Sequence, residues 1–202
     1  MITHFAMKRP ARVSNIDAKQ GANTSKTGTT LDIVTPSGIV SDVIISGAVC
    51  ENSRTWTPHT GFTEVFDTNS LEISRRTVDG SEAATLTFTA NAGHGGASGF
   101  ALLLRGGTYD TVGSASVSSS SPAAPSITLT GAGRVFAIFW RQASGISFTT
   151  PTGFTYVAHD ADGNSPSWAM FYKDFPAGAT GTVSSSVSSG SGYGVLVGVK
   201  AS

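Results

Sequence analysis

Charge is scarce in this 202-residue chain, where 13% of residues are charged and 39% are hydrophobic. An average globular protein carries about 25% charged residues. The shortage argues against charge-driven disorder, and against long exposed helices, whose outer faces need Lys and Glu. Cysteine is nearly missing as well: Cys50 is the only one, which excludes an intrachain disulfide and a cysteine-based zinc site. No run approaches the roughly 18 apolar residues of a membrane-spanning helix. The opening Met1–Pro10 lacks an apolar core of signal-peptide length, so the expectation is a soluble protein not exported by a cleaved leader.

What is abundant points the other way. Twenty-four glycines, with many serines and threonines, suit short strands joined by tight turns. The chain is long enough to bury a substantial core as one all-β domain. Residues 1–28 are polar and without sustained period, and Gly21–Gly28 has linker composition. Residues 1–30 hold five basic residues against Asp17 alone, a balance of +4, while the remainder stands at −4. Residues 1–28 are therefore expected to form a basic, flexible or anchoring arm, with Lys8, Arg9, Arg12 and Lys19 as candidate attachment residues. No aromatics interleave with them to stack on bases, so nucleic acid is not the expected partner.

From Thr29 onward, β-prone runs alternate with turn residues. Val43–Val49 is apolar throughout, as a central strand buried on both faces should be. Ala84–Ala90 alternates, with Leu86, Phe88 and Ala90 on one face and threonines on the other. Phe100–Leu104 follows the loop Gly93-His94-Gly95-Gly96 and reads as another central strand, whereas Leu71–Arg75 reads as half-exposed. Further strands are expected at 126–130, 134–140, 154–158, 168–173, 181–187 and 192–199.

The order of these elements repeats. Thr57-Pro58-His59-Thr60-Gly61-Phe62-Thr63 recurs, one residue shorter, as Thr150-Pro151-Thr152-Gly153-Phe154-Thr155. An apolar strand precedes each copy, and Leu71–Arg76 and Trp168–Lys173 follow. Further on, Gly99–Leu104 matches Gly192–Val197. This predicts two pseudo-repeated units, about 38–107 and 132–201, joined by a linker near 114–126 within a 29–202 domain. Each unit has an apolar face that it cannot bury alone, so the expected product is a two-sheet antiparallel sandwich, jelly-roll-like, with an extended N-terminal arm.

Familiar site motifs fail. Counted from Asp160, the loop with Asp162 and Gly163 puts Ser165 and Phe171 where a calcium loop needs Gly and Glu. The glycine loop at 93–96 lacks a phosphate loop's Lys-Ser/Thr ending, and no Gly-x-Ser-x-Gly elbow occurs. His4, His59, His94 and His159 have no metal-ligand spacing, and Glu64, Glu72 and Glu82 read as scattered surface carboxylates. Neither catalytic residues, a metal nor a cofactor is expected. Cys50 reads as a buried, inert thiol. Trp56, Trp140 and Trp168 with Phe62, Phe154, Tyr156 and Tyr193 could form a sugar-stacking platform, but core filling is the expectation. Phe62 and Phe154, in equivalent places, read as equivalent core residues, and Trp56 is the candidate exposed aromatic.

The Pro-x-Gly-Phe-Thr turn after an apolar strand resembles a β-sandwich module of tailed-bacteriophage structural proteins. So do the basic-ended strand Leu71–Arg76, Gly80-Ser81-Glu82, Leu86–Thr89, Leu102–Gly106 and Pro176–Gly181. The resemblance spans roughly residues 38–200 and rests on folding motifs, so it carries over no functional residues. It implies a non-enzymatic virion part, assembled in the host cytoplasm: a capsid decoration protein or a head or tail fibre or appendage. Its implied partners are other copies of itself (a trimer being one such assembly) and capsid or tail proteins, with neither nucleic acid nor membrane. A carbohydrate- or receptor-binding module at a virion tip, touching a host-surface glycan, is the alternative.

Overall fold

The computed structural model describes residues 14–23, 28–116, 118–160 and 166–202, all of them in strands, turns and loops. The first half supplies β1 (Ser14–Asn23), β2 (Thr30–Val34), β3 (Val43–Cys50) and β4 (Trp56–Thr57). It continues with β5 (Thr63–Asp67), β6 (Leu71–Thr77), β7 (Thr85–Ala90) and β8 (Ala97–Arg105). The second half opens with β9 (Gly107–Val112), β10 (Ala123–Ala124), β11 (Thr128–Leu129), β12 (Gly133–Arg141) and β13 (Thr155–Asp160). It closes with β14 (Ser167–Phe175), β15 (Gly178–Ala179), β16 (Val183–Ser184) and β17 (Tyr193–Ala201). Among the described residues no helix is long and apolar enough to cross a membrane.

The duplication is visible in the sheets. One five-stranded antiparallel sheet runs β1-β8-β3-β6-β5, and the other, taken from its matching edge, runs β9-β17-β12-β14-β13. Register matches too: Val49 pairs with Leu71 where Trp140 pairs with Trp168. A bulge interrupts both edge strands at the same place, between Glu64 and Phe66 and between Tyr156 and Ala158. The repeated turns close alike. Phe62 N–H donates to His59 O and Phe154 N–H to Pro151 O, each at 3.0 Å. Gly61 and Gly153 sit at φ +86° and +76°, the left-handed conformation that this turn's third position requires.

Alternation along each central strand sorts side chains between two cores. Val43, Ile45 and Val49 of β3, with Phe100 and Leu102 of β8, meet Phe136, Ile138 and Trp140 of β12 and Met170 of β14 in a central core between the large sheets. The intervening residues Ile44, Ala48 and Cys50 turn outward onto a second core with Leu31, Ile33, Leu86, Phe88 and Trp56, supplied by the small sheet β2-β7-β4. In the second unit, Val135, Ala137 and Phe139 meet Ala124, Leu129 and Val183 from the two-stranded pairs β10-β16 and β11-β15. The two large sheets form the expected antiparallel sandwich, and small sheets cover its outer faces. The small outer sheets explain why both central strands are apolar on both faces.

Two expectations change with the pairing. Ser14–Asn23, expected within a flexible or anchoring arm, is a strand paired along β8 from Ser14↔Arg105 to Asn23↔Ala97. Its polar sequence hid it, since nothing in that sequence alternates as a half-buried strand does. Its counterpart is β9, so one large sheet draws its strands from residues 14–105 and the other from 107–201. Leu71–Arg75 was expected to be half-exposed, yet residues 71–74 are buried on both faces under β4.

Candidate functional site

Trp56 is the first correction: it is 1% exposed, where an exposed contact residue was expected. It pairs through the backbone with Ala90 and stacks on buried His94, ring centroids 5.7 Å apart. A Trp beside Thr-Pro looks like a surface residue only until the small sheet closes over it. His94 Nε2 faces Thr30 O at 3.4 Å, and burial holds the ring below the usual histidine pKa. The glycine-rich loop thus serves to seat this ring. Cys50 is buried, donates to Asn52 O at 2.6 Å, and burial pushes its pKa up to about 11.

Of the candidate attachment residues, Lys8, Arg9 and Arg12 lie outside the described residues, as do Asp162 and Gly163. Lys19 lies on β1 opposite Ala101 and is half-buried. Phe62 and Phe154 are half-buried, each against its own unit's outer core.

Equivalent positions on the two outer faces carry different chemistry. In the first unit, Glu64, Asp67, Glu72 and Ser74 occupy one corner, paired as Glu64↔Ser74 and Asp67↔Glu72. Glu72, expected at the surface, is fully buried with neither carboxyl oxygen hydrogen-bonded. Burial pushes its pKa up to about 9, Ser74 opposes the shift weakly, and Glu64 and Asp67 add to it. In the second unit the corresponding pairs are Tyr156↔Phe171 and His159↔Ala169. There the small methyl of Ala169 stands where the first unit has Glu72, beside a cleft of about 190 Å3 lined by Ile146, Phe148, Tyr156, Phe171 and His159. Tyr156 is 49% exposed, and its hydroxyl lies 2.6 Å from His159 Nδ1.

A second cleft, of about 250 Å3, opens where the two units meet. Its aromatic wall is the half-exposed Tyr193, stacked on buried Trp140 with centroids 5.3 Å apart and planes 21° from parallel. Trp140 Nε1 donates to Ser70 Oγ at 2.9 Å, which ties the wall to the first unit. Gln142 Nε2 reaches Ser53 Oγ at 3.3 Å across the same junction. Asn69 completes the polar lining. Sequence reading weighed Tyr193 among the aromatics but missed Asn69 and Gln142, because the cleft joins loops from both units. The sequence match of Gly99 with Gly192 sets Phe100 against Tyr193, whereas strand register sets Val49 and Ser98 against Trp140 and Tyr193, so only the structure shows that the shared fold does not need aromatics there.

A third surface feature lies between β2 and β3. Ile39 and Val40 are 62% and 66% exposed, and Val34 is exposed nearby. Their turn is held firmly: Asp42 N–H donates to Ile39 O at 3.0 Å, and Ile39 N–H donates to Asp42 Oδ2 at 2.9 Å. Ser41 takes φ +80° to close it. Asp42 is buried, with Arg105 Nε 3.5 Å from its carboxylate. In the second unit only Thr130-Gly131-Ala132 joins β11 to β12.

Among the described residues no group of three or more His, Cys, Asp or Glu side chains is placed to hold a metal ion. No protein-family model matches the chain, and no curated protein or solved structure matches it either.

Proposed function

We propose that this protein is a non-enzymatic structural subunit of a tailed-bacteriophage virion, a capsid decoration or head or tail appendage protein. It acts by associating with its own copies and docking on the particle. The resemblance of its turn and strand motifs supports the virion reading. The observation that carries docking is the turn at 39–42, which holds two β-branched apolar side chains out in water on a buried, ion-paired aspartate. A merely solvated loop has no need of apolar tips or of such bracing, whereas a docking projection needs both. Both bulged edge strands carry polar or charged residues, Glu64 and Asp67 on β5 and His159 and Asp160 on β13, which blunts edge-to-edge pairing. That favours side-chain docking over sheet extension.

Cryo-electron microscopy of purified particles, with rebinding of purified protein to particles stripped of it, tests the reading. The expected result is ordered density for this fold on the particle, and loss of rebinding in Ile39→Asp with unchanged circular dichroism. A monomer that never binds its particles would overturn it. The alternative, a carbohydrate- or receptor-binding module, can no longer rest on Trp56, Trp140 or Trp168, all buried. The cleft between the units is the feature that favours it.

A further inference from the structure

We infer that the cleft between the two units is a binding site for a neutral saccharide, one pyranose ring in size. The inference is independent of the virion reading.

Three observations converge. First, the lining is aromatic on one side and hydroxyl- and amide-bearing on the other, with no residue that is charged at neutral pH. A pyranose has the same two-sided character, an apolar C–H face and a rim of hydroxyls that both donate and accept. Asn and Gln amides match that rim because each offers a donor and an acceptor together. The lack of charge disfavours phosphates and carboxylated sugars, which need an ion partner once desolvated.

Second, the wall is preorganised. Trp140 is buried, with its indole N–H satisfied by Ser70 and with Phe66 edge-on at 6.3 Å. Stacking on that indole fixes the orientation of Tyr193, which remains half-exposed. Its hydroxyl and the exposed Asn69 amide have no hydrogen-bond partner among the described residues, so both are available to a ligand at little ordering cost. Third, the aromatic wall is a departure from the duplicated plan. The first unit builds the same lattice positions from Val49 and Ser98 and still folds. Packing alone therefore does not call for this Trp–Tyr pair at the mouth of a cleft.

The test is two-dimensional 1H–15N NMR of the full chain, titrated separately with the methyl pyranosides of glucose, galactose, mannose and N-acetylglucosamine. N-Acetylneuraminic acid serves as the charged comparison. At least one methyl pyranoside should shift the Trp140 indole and Gln142 amide signals saturably, and the charged sugar should not. Asn69→Ala, an exposed change that leaves the core alone, should weaken that binding about tenfold, the loss expected from one hydrogen-bonding group. Tyr193→Ser, which installs the first unit's own residue, should abolish it while the remaining amide spectrum stays dispersed. Absence of any shift with all four pyranosides would overturn the site. So would binding that both variants leave unchanged, or a preference for the charged sugar.

Discussion

Replacing Glu72 with Gln should make the protein more stable above about pH 5, by an amount that grows with pH. Glu72 sits opposite Ala48 and Asp67 under β4, fully buried, with both carboxyl oxygens unpaired. The Ser74 hydroxyl nearest in the strand is shared with Ser46 Oγ at 3.1 Å. Folding therefore holds the carboxyl protonated, with a pKa raised from 4.5 to about 9. The native state binds the proton more tightly than the unfolded state, so this group's contribution is fully present below about pH 4.5. It declines as pH rises and is gone above about pH 9. Each pH unit inside that window is worth about 1.4 kcal/mol, so the step from pH 5 to pH 8 has a ceiling of about 4 kcal/mol. For a chain of this length that corresponds to a fall of roughly 8–16 °C in Tm. Gln keeps the size and has no proton to lose. Its melting curve, followed by circular dichroism or calorimetry, should coincide with the parent's near pH 5 and lie above it at pH 8. His94 titrates in both proteins, and its pH dependence cancels in the difference. Parallel Tm profiles for parent and variant from pH 5 to 9 would refute the buried-acid reasoning.

Two further outcomes follow from the packing. Two indoles bridge the large sheets, Trp140 to Ser70 and Trp168 to Ser98, the second at 2.5 Å. Ser70→Ala and Ser98→Ala each strand a buried N–H and should cost about 1–3 kcal/mol in urea denaturation; a loss below about 0.5 kcal/mol for both would show that the bridges do not hold the units together. Cys50, with its pKa near 11 and no exposure, should resist a thiol-specific disulfide reagent at pH 8 in the native protein and react at once in denaturant; rapid native labelling would contradict its burial.

Much of the architecture was legible in the residues. The apolar run at 43–49 became β3, Ala84–Ala90 became β7 with Leu86 and Phe88 inward, and the Gly-Phe-Thr copies became matching turns with φ > 0 glycines. These features are local: turn chemistry and strand alternation act within a few residues of one another. The candidate sites were hardly legible, because each is assembled from distant segments. Asn69 and Tyr193 are 124 positions apart in sequence yet line one cleft. Asp42 and Arg105 come together only when β3 and β8 pair.

The chain by itself determined an all-β protein made of one unit twice over. Tertiary structure decided what that duplication covers. Whether a side chain on a strand's second face is wet depends on what packs over it, and no local pattern reports that. A small sheet closes over the first unit and buries Trp56, His94 and Glu72; in the second unit the same corner is left open beside Tyr156. The polar segment at 14–23 became a strand because β8 had an edge to fill, a demand set by the pairing partner rather than by the segment's own residues.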